Sequence, residues 1–137
     1  MSLAEKRLFL LDMDGTIYLS ETLFDGTLDF LRYVRAIGGR YLFLTNNSSR
    51  SVDDYIEHLY KFGIRIRRKQ MFTSTLNAVA FLKSGHPASK RLFMIGTEVF
   101  RREMEEYGFH DVNMTDEPDA VVTAFDTALS YERLCKA

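Results

Sequence analysis

Apolar residues in the first half of the chain alternate between short continuous runs and helical repeats. The run at residues 8–11 (Leu-Phe-Leu-Leu) predicts a strand that is buried on both faces, and residues 41–44 predict a second one. Between them, residues 26–37 carry an apolar residue at every third position, which predicts a helix with one buried face. Residues 52–60, preceded by the candidate N-cap Ser51, predict a second helix. Alternating strands and helices indicate an α/β fold with a parallel sheet.

The second half continues this pattern after a break. A short strand at residues 71–73 precedes a helix that Ser74 is expected to cap. Gly, Pro and Ser residues at 85–89 suggest a linker, so we expect one domain at residues 1–86 and another at 87–137. The second domain is predicted to contain, in order, a strand at 92–95, a helix at 97–107, a strand at 120–123 and a helix from 131.

Composition narrows the classes of protein to be considered. The chain has 137 residues, 46% of them hydrophobic, and a formal net charge of -1, which argues against nucleic acid as the main partner. The basic run at residues 65–69 is expected to be a solvated loop or edge. One cysteine, Cys135, cannot form an internal disulfide, and no apolar run is long enough to span a membrane. We therefore expect a soluble cytoplasmic protein. Surface or loop roles are expected for the histidines at 58, 86 and 110.

Two polar clusters follow the two predicted strands, at residues 12–16 and 45–49. The carboxyl ends of parallel strands meet at one edge of a sheet, where ligands bind in such folds. Strand alternation places Asp12 and Asp14 on one side and turns Met13 away. Two adjacent carboxylates repel each other unless a cation lies between them, and Mg²⁺ prefers carboxylate oxygens and bridges to phosphate. The sequence therefore predicts a site for magnesium and phosphate at this edge of the sheet.

The residue types at this edge suit phosphoryl transfer. One aspartate can attack phosphorus and form an aspartyl-phosphate, while the other protonates the leaving oxygen and later activates water. Thr45 and Asn46 would donate hydrogen bonds to the phosphoryl oxygens. In the structural alternative, Asp12 and Asp14 only cap a loop and residues 45–49 form an ordinary polar turn.

The two clusters resemble the first two motifs of the haloacid dehalogenase superfamily. The matching segments are 11–18 (Leu-Asp-Met-Asp-Gly-Thr-Ile-Tyr) and 44–50 (Leu-Thr-Asn-Asn-Ser-Ser-Arg). They are most similar to the phosphatase branch that includes NagD and the p-nitrophenylphosphatases, as are residues 72–74, 94–96 and 118–122. The resemblance thus covers most of the chain and suggests the N-terminal portion of such an enzyme.

The resemblance implies a role for each site residue. Asp12 would be the nucleophile and a metal ligand, and Asp14 the acid/base, with its backbone carbonyl as a second metal ligand. Thr45 and Asn46 would hold the phosphate of a small phosphorylated metabolite, with Mg²⁺ as the cofactor. The implied fold is a Rossmann-like core, whose first half is residues 1–86, followed by the first part of an inserted α/β cap at 87–137.

Two further motifs of the family, a lysine and a late acidic cluster, have no counterpart that we can place. Residues 111–116 reproduce the letters D-x-x-x-T-D, but they lack the preceding glycine and the buried strand, so we do not expect a metal site there. We therefore expect a truncated chain that is nearly inactive by itself. An unpaired sheet edge beside the Asp12 strand would favour a dimer or larger species.

Three functions remain open at this point. The leading hypothesis is a magnesium-dependent phosphatase. The second is a non-catalytic remnant that binds phosphate or metal, and the third is a phosphotransferase or mutase with the same aspartyl-phosphate chemistry.

Overall fold

A computed structural model of the chain describes residues 5–137. The described part forms two compact units: the first runs up to Thr45 and includes Val52–Phe72, and the second comprises Asn46–Ser51 and Thr73–Ala137. Its elements, in chain order, are β1 (Leu8–Asp12), β2 (Tyr18–Leu19), β3 (Thr22–Leu23), α1 (Thr27–Ala36), β4 (Arg40–Thr45), α2 (Val52–Lys61), a 3-10 turn (Arg68–Gln70), β5 (Met71–Thr73), α3 (Ser74–Gly85), β6 (Arg91–Ile95), α4 (Glu98–Glu106), β7 (His110–Asp111), β8 (Ala120–Thr123) and α5 (Tyr131–Lys136).

The main sheet of the first unit has the strand order β1-β4-β5. Strands β1 and β4 are parallel, with Leu8 opposite Arg40 at one end and Asp12 opposite Leu44 at the other. Helix α1 connects these two strands, so the predicted parallel arrangement and the α/β class are confirmed. Because the strands run in the same direction, Asp12 and the last residue of β4 lie at the same edge of the sheet.

The two faces of this sheet are buried unequally. Phe9, Tyr41 and Phe43 are buried on one face, and the ring of Phe9 packs edge-to-face on Phe30 of α1 at 5.5 Å. On the other face Leu8 and Leu10 are each 59% exposed. The prediction that β1 is buried on both sides is therefore wrong for this structure. An apolar run shows that its side chains favour burial, but a strand is buried on both faces only when other elements pack on each side of the sheet.

A short antiparallel hairpin, β2–β3, follows the first polar cluster and packs on α2. Tyr18 of the hairpin is 2% exposed, and its ring centroid lies 4.8 Å from that of His58. His58 is itself only 5% exposed and also contacts Phe62, at 4.9 Å. The surface role predicted for His58 is wrong, because this residue continues the buried stripe of α2 that starts at Val52 and Tyr55. The histidines at 86 and 110 are exposed, as predicted.

The second unit has its own parallel sheet, with the order β7-β6-β8. Helix α3 belongs to the core of this unit, together with α4 and β6, through the buried residues Val79, Leu82, Leu92, Met94, Phe100, Met104 and Phe109. The N-cap of α3 is Thr73, whose hydroxyl accepts from the amide of Leu76, so the prediction that Ser74 caps this helix is wrong. The division into domains at residues 86 and 87 stays a prediction. No helix within residues 5–137 has the length and apolarity to cross a membrane.

Candidate functional site

The segment Asp12-Met13-Asp14 alternates at the carboxyl end of β1 as predicted. Both aspartates are exposed, whereas Met13 between them is completely buried. Burial of one apolar side chain directs its two neighbours to the opposite side, since successive side chains of an extended backbone alternate. The core of the first unit therefore holds the two carboxylates in place through a residue that carries no chemistry.

A tight loop follows Met13 and fixes the backbone on both sides of Asp14. The Met13 carbonyl accepts from the amides of Thr16 at 3.1 Å and Ile17 at 2.9 Å. The amide of Gly15 donates to the Tyr18 carbonyl at 2.8 Å, and Asp14 forms an isolated bridge with Tyr18. Gly15 has a φ of 79°, a left-handed conformation that glycine adopts without a steric penalty.

The hairpin β2–β3 anchors the far side of this loop. The Ile17 carbonyl accepts from the Phe24 amide at 3.1 Å and from the Thr27 hydroxyl at 3.3 Å, so the hairpin is joined to the start of α1. The ring of Tyr18 is buried under α2, as described above. The backbone of Asp14 is thus held between a sheet strand and a packed hairpin, which limits how far its carboxylate can move.

The electrostatics of the two aspartates favour a divalent cation. Neither Asp12 nor Asp14 forms an ion pair within the described part of the chain. The Thr16 hydroxyl lies 3.4 Å from Oδ2 of Asp12, a long contact that leaves the carboxylate charge largely uncompensated. No group of three or more His, Cys, Asp or Glu side chains suited to a metal occurs within residues 5–137. Carboxylate oxygens are ligands that Mg²⁺ prefers.

The second polar cluster begins where β4 ends. Thr45 is the last residue of β4 and is 6% exposed, and it directly follows Leu44, the register partner of Asp12. Neighbouring parallel strands therefore end in Asp12 and Thr45. Asn46 is exposed and belongs to the second unit, where its carbonyl accepts from the Ser74 hydroxyl at 3.1 Å.

Residues 47–49 have a structural role in the second unit. The buried Ser48 hydroxyl accepts from the amide of Phe125 at 3.0 Å, and the Ser49 carbonyl accepts from the Thr97 hydroxyl at 3.3 Å. The Asn47 side chain accepts from the amide of Ser49 at 3.0 Å. These contacts join the cluster to the segment after β8 and to the N-cap of α4. Sequence spacing carried no signal for them, because the partners are 48 and 77 positions away.

The D-x-x-x-T-D segment has structural contacts for its first aspartate. Oδ1 of Asp111 accepts from the amide of Met94 at 2.9 Å. Oδ2 lies 3.6 Å from a guanidinium nitrogen of both Arg101 and Arg133. Two cations and an amide therefore neutralise this partly buried carboxylate, which is the opposite of the charge state that attracts a metal ion.

Comparison with solved structures supports the fold. The structure matches 4-nitrophenylphosphatase from Thermotoga maritima with a TM-score of 0.88 and 36% sequence identity, over 98% of this chain and 50% of that one. It matches glycerol phosphate phosphatase from Mycobacterium tuberculosis, in complex with magnesium, with a TM-score of 0.86 and 31% identity, over 98% of this chain and 41% of that one. The predicted Rossmann-like fold and the resemblance to the nitrophenylphosphatase branch are confirmed.

Sequence comparison gives the family directly. The chain is 33% identical over 110 residues to chloroplastic phosphoglycolate phosphatase 1A from Arabidopsis thaliana. The aligned residues make up 80% of this chain and 30% of that protein. The chain thus spans at most about half the length of these three relatives. A profile of haloacid dehalogenase-like hydrolases matches residues 9–110. The chain therefore belongs to the haloacid dehalogenase-like hydrolase family.

Proposed function

We propose that this chain is the nucleophile-bearing part of a magnesium-dependent phosphatase that hydrolyses small phosphorylated metabolites. The observation that carries the proposal is the exposed carboxylate pair, Asp12 and Asp14, set around the buried Met13 at a strand end next to that of Thr45. The relatives named above are phosphatases of phosphoglycolate, glycerol phosphate and a nitrophenyl phosphate, which supports the same reaction class.

In the first step the Asp12 carboxylate attacks phosphorus. An oxygen–phosphorus bond forms to Asp12 while the bond to the leaving oxygen breaks, and the Asp14 carboxyl gives its proton to that oxygen. In the second step Asp14 takes a proton from water, the water oxygen bonds to phosphorus, and the Asp12 carboxylate is released. The Thr45 hydroxyl and the Asn46 amide donate to the phosphoryl oxygens and stabilise the charge that develops there.

The Asp12 carboxylate and the backbone carbonyl of Asp14 would also hold the Mg²⁺ ion. The weakly compensated carboxylate of Asp12 suits a hard cation that prefers oxygen ligands and keeps several waters. When bound, Mg²⁺ supplies positive charge next to the phosphoryl oxygens. With its carbonyl on the metal side, Asp14 keeps its carboxyl for proton transfer, and the bonds of Gly15 and Thr16 hold its backbone in the loop beside Asp12.

We expect low activity from the 137-residue chain alone. We can place neither the family's lysine nor its late acidic cluster among its residues, and both would stabilise transition-state charge. The catalytic test therefore belongs in the longest natural polypeptide that contains this segment, with the 137-residue chain assayed beside it.

The test is hydrolysis of 4-nitrophenyl phosphate with Mg²⁺ and with EDTA, for the natural sequence and for Asp12→Asn. We expect Asp12→Asn to lower kcat on the order of 10³-fold or more, because the amide is a poor nucleophile. The matched control is Asp29→Asn, which changes an exposed aspartate of α1 that is paired with Arg32. Equal rates for the natural sequence and Asp12→Asn would remove Asp12 from the mechanism. Transfer of phosphate to an added alcohol, without release into water, would instead favour a phosphotransferase.

A further inference from the structure

A cavity lies in the first unit, at the opposite end of the sheet from Asp12. It has a volume of about 510 Å³ and opens where β1 and β4 begin. Leu8, the first residue of β1, contributes to its wall, and the strand rise separates Leu8 from Asp12 by about 13 Å. The other residues that matter to the cavity are Leu42, Gln70, Arg35, Arg40 and Lys69.

The charge of this cavity is uniformly positive. Arg35, Arg40 and Lys69 line it, and no acidic side chain does. None of the three forms an ion pair within residues 5–137, although other cations of the same unit do, such as Arg32 with Asp29. Three like charges around one cavity repel each other, and a bound anion would relieve that repulsion.

Arg35 is held in place for such contacts. Its Nη2 donates to the hydroxyl of Tyr41 and, at 3.3 Å, to the carbonyl of Arg65. Its guanidinium carbon lies 5.3 Å from the centroid of the Tyr41 ring, within the range of a cation–π contact. A side chain that is already ordered loses less entropy when it binds a ligand.

The basic run at residues 65–69 thereby acquires a more specific role than a solvated loop. Its first residue provides the carbonyl that positions Arg35, and its last residue, Lys69, lines the cavity. Arg68 points elsewhere and pairs with Asp53 on α2. The run therefore presents one cation to a concave site, whereas nucleic acid requires a continuous basic stripe.

We propose that this cavity binds a small organic phosphate carrying at least two negative charges, at a site separate from Asp12 and Asp14. Its volume falls within the range of small-molecule sites, roughly 300–1,000 Å³. Arginine and lysine together are the usual ligands of phosphate groups. Leu8 and Leu42 provide an apolar wall for the organic part, and the Gln70 amide can donate a further hydrogen bond.

Pyrophosphate is the probe that tests this site, by calorimetric titration in EDTA so that no metal bridges it to the aspartates. The titration uses the chain carrying Asp12→Asn, and then the same chain with Arg40→Gln and Lys69→Gln. We expect saturable binding with one site per chain, which the two additional substitutions weaken by about tenfold or more. The matched control is Arg32→Gln with Lys61→Gln, which removes two surface cations that are paired with acids. It should leave the affinity unchanged.

Three results would overturn the proposal. The first is the absence of saturable binding by a chain that circular dichroism shows to be folded. The second is equal weakening by the cavity variant and by the control, which would indicate a general charge effect. The third is equal affinity for citrate, which would refute the assignment to phosphate. Because Asp12→Asn is present throughout, failure of the phosphatase proposal leaves this result unaffected.

Discussion

The amide of Gly15 donates a 2.8 Å hydrogen bond to the carbonyl of Tyr18, and this bond closes the loop that carries Asp14. The ring of Tyr18 is buried against His58 of α2, so the loop is coupled to the packing of the hairpin and the helix. The position of a candidate catalytic carboxylate therefore depends on a glycine and on an aromatic cluster that have no chemical role.

Replacing Gly15 with alanine should destabilise the first unit. The φ of 79° costs an L-residue roughly 1 kcal/mol, and no atom lies within 4 Å of the added Cβ, so strain in the backbone is the whole effect. Urea unfolding followed by circular dichroism measures the change. Gly85→Ala is the control: Gly85 ends α3, has ordinary φ and equally open space, and its replacement should be neutral or slightly stabilising. Equal effects of the two substitutions would contradict this account.

Replacing His58 with alanine should cost about 2 kcal/mol in the free energy of unfolding. The ring fills the space between Tyr18 and Phe62, and its removal leaves a cavity that two aromatic rings cannot readily close. Denaturant melts give the value. For His110→Ala, an exposed histidine, we expect a change within about 0.5 kcal/mol. A similar loss for both would show that the cluster around His58 has no special packing role.

Asp119 should make the second unit sensitive to acid. The backbone amides of Arg91 and Lys90 each donate to Oδ2 of Asp119 at 2.8 Å. These bonds, and the one from Arg91 most, hold the pKa of the Asp119 carboxyl below its ordinary value of 3.8. A lowered folded-state pKa stabilises the protein above pH 3.8, and this stabilisation is lost as the pH falls through the folded value.

Asp119→Asn should therefore be less stable than the natural chain at pH 7, and the difference should shrink below pH 3.8. Urea melts of both chains at pH 7 and near pH 3 test the prediction. Glu117→Gln, at an exposed position two residues away, is the control and should change stability equally little at both values. A difference that is constant with pH would mean that the carboxylate charge is not what stabilises this turn.

The predicted self-association should depend on the uncovered face of β1. Leu10 is 59% exposed on a strand that, within residues 5–137, pairs only with β4. Apolar faces and open strand edges favour association. Light scattering after size exclusion should show a dimer or larger species that Leu10→Lys shifts toward monomer. Leu19→Lys, which charges an equally exposed leucine on the hairpin, should not. A natural chain that is monomeric at high concentration would refute the prediction.

Helices and strands with a clear pattern of apolar residues were predictable from sequence. The strands at residues 40–45 and 120–123 and the helices α1, α2 and α4 follow runs or repeats of apolar residues, and the structure has them within a few positions. The hairpin β2–β3 was not predicted. Its strands have two residues each, and its turn contains Ser20 at a φ of 53° instead of the glycine or asparagine that marks such turns.

The candidate site was predictable in part for the same reason. Asp12 and Asp14 were recognisable because alternation around Met13 is a local property of a strand. The exposure of Leu8, the burial of His58 and the bond from Phe125 to Ser48 were not, because each depends on what a distant segment covers. The cations that line the cavity come from α1, β4 and the 3-10 turn, and no single stretch of sequence shows that they meet.

Because Met13 is buried, the direction of Asp12 and Asp14 depends on the number of residues that precede Met13 in β1. A substitution in β1 changes one side chain. Inserting or deleting one residue before Met13 would instead turn every side chain between that point and the loop to the opposite face of the sheet. Carboxylates would then point into the core and a thioether toward solvent. Such variants should be found only in the insoluble fraction, which expression beside substitution variants of the same strand would show. The direction of the two carboxylates therefore depends on the number of residues in the strand as well as on their identity.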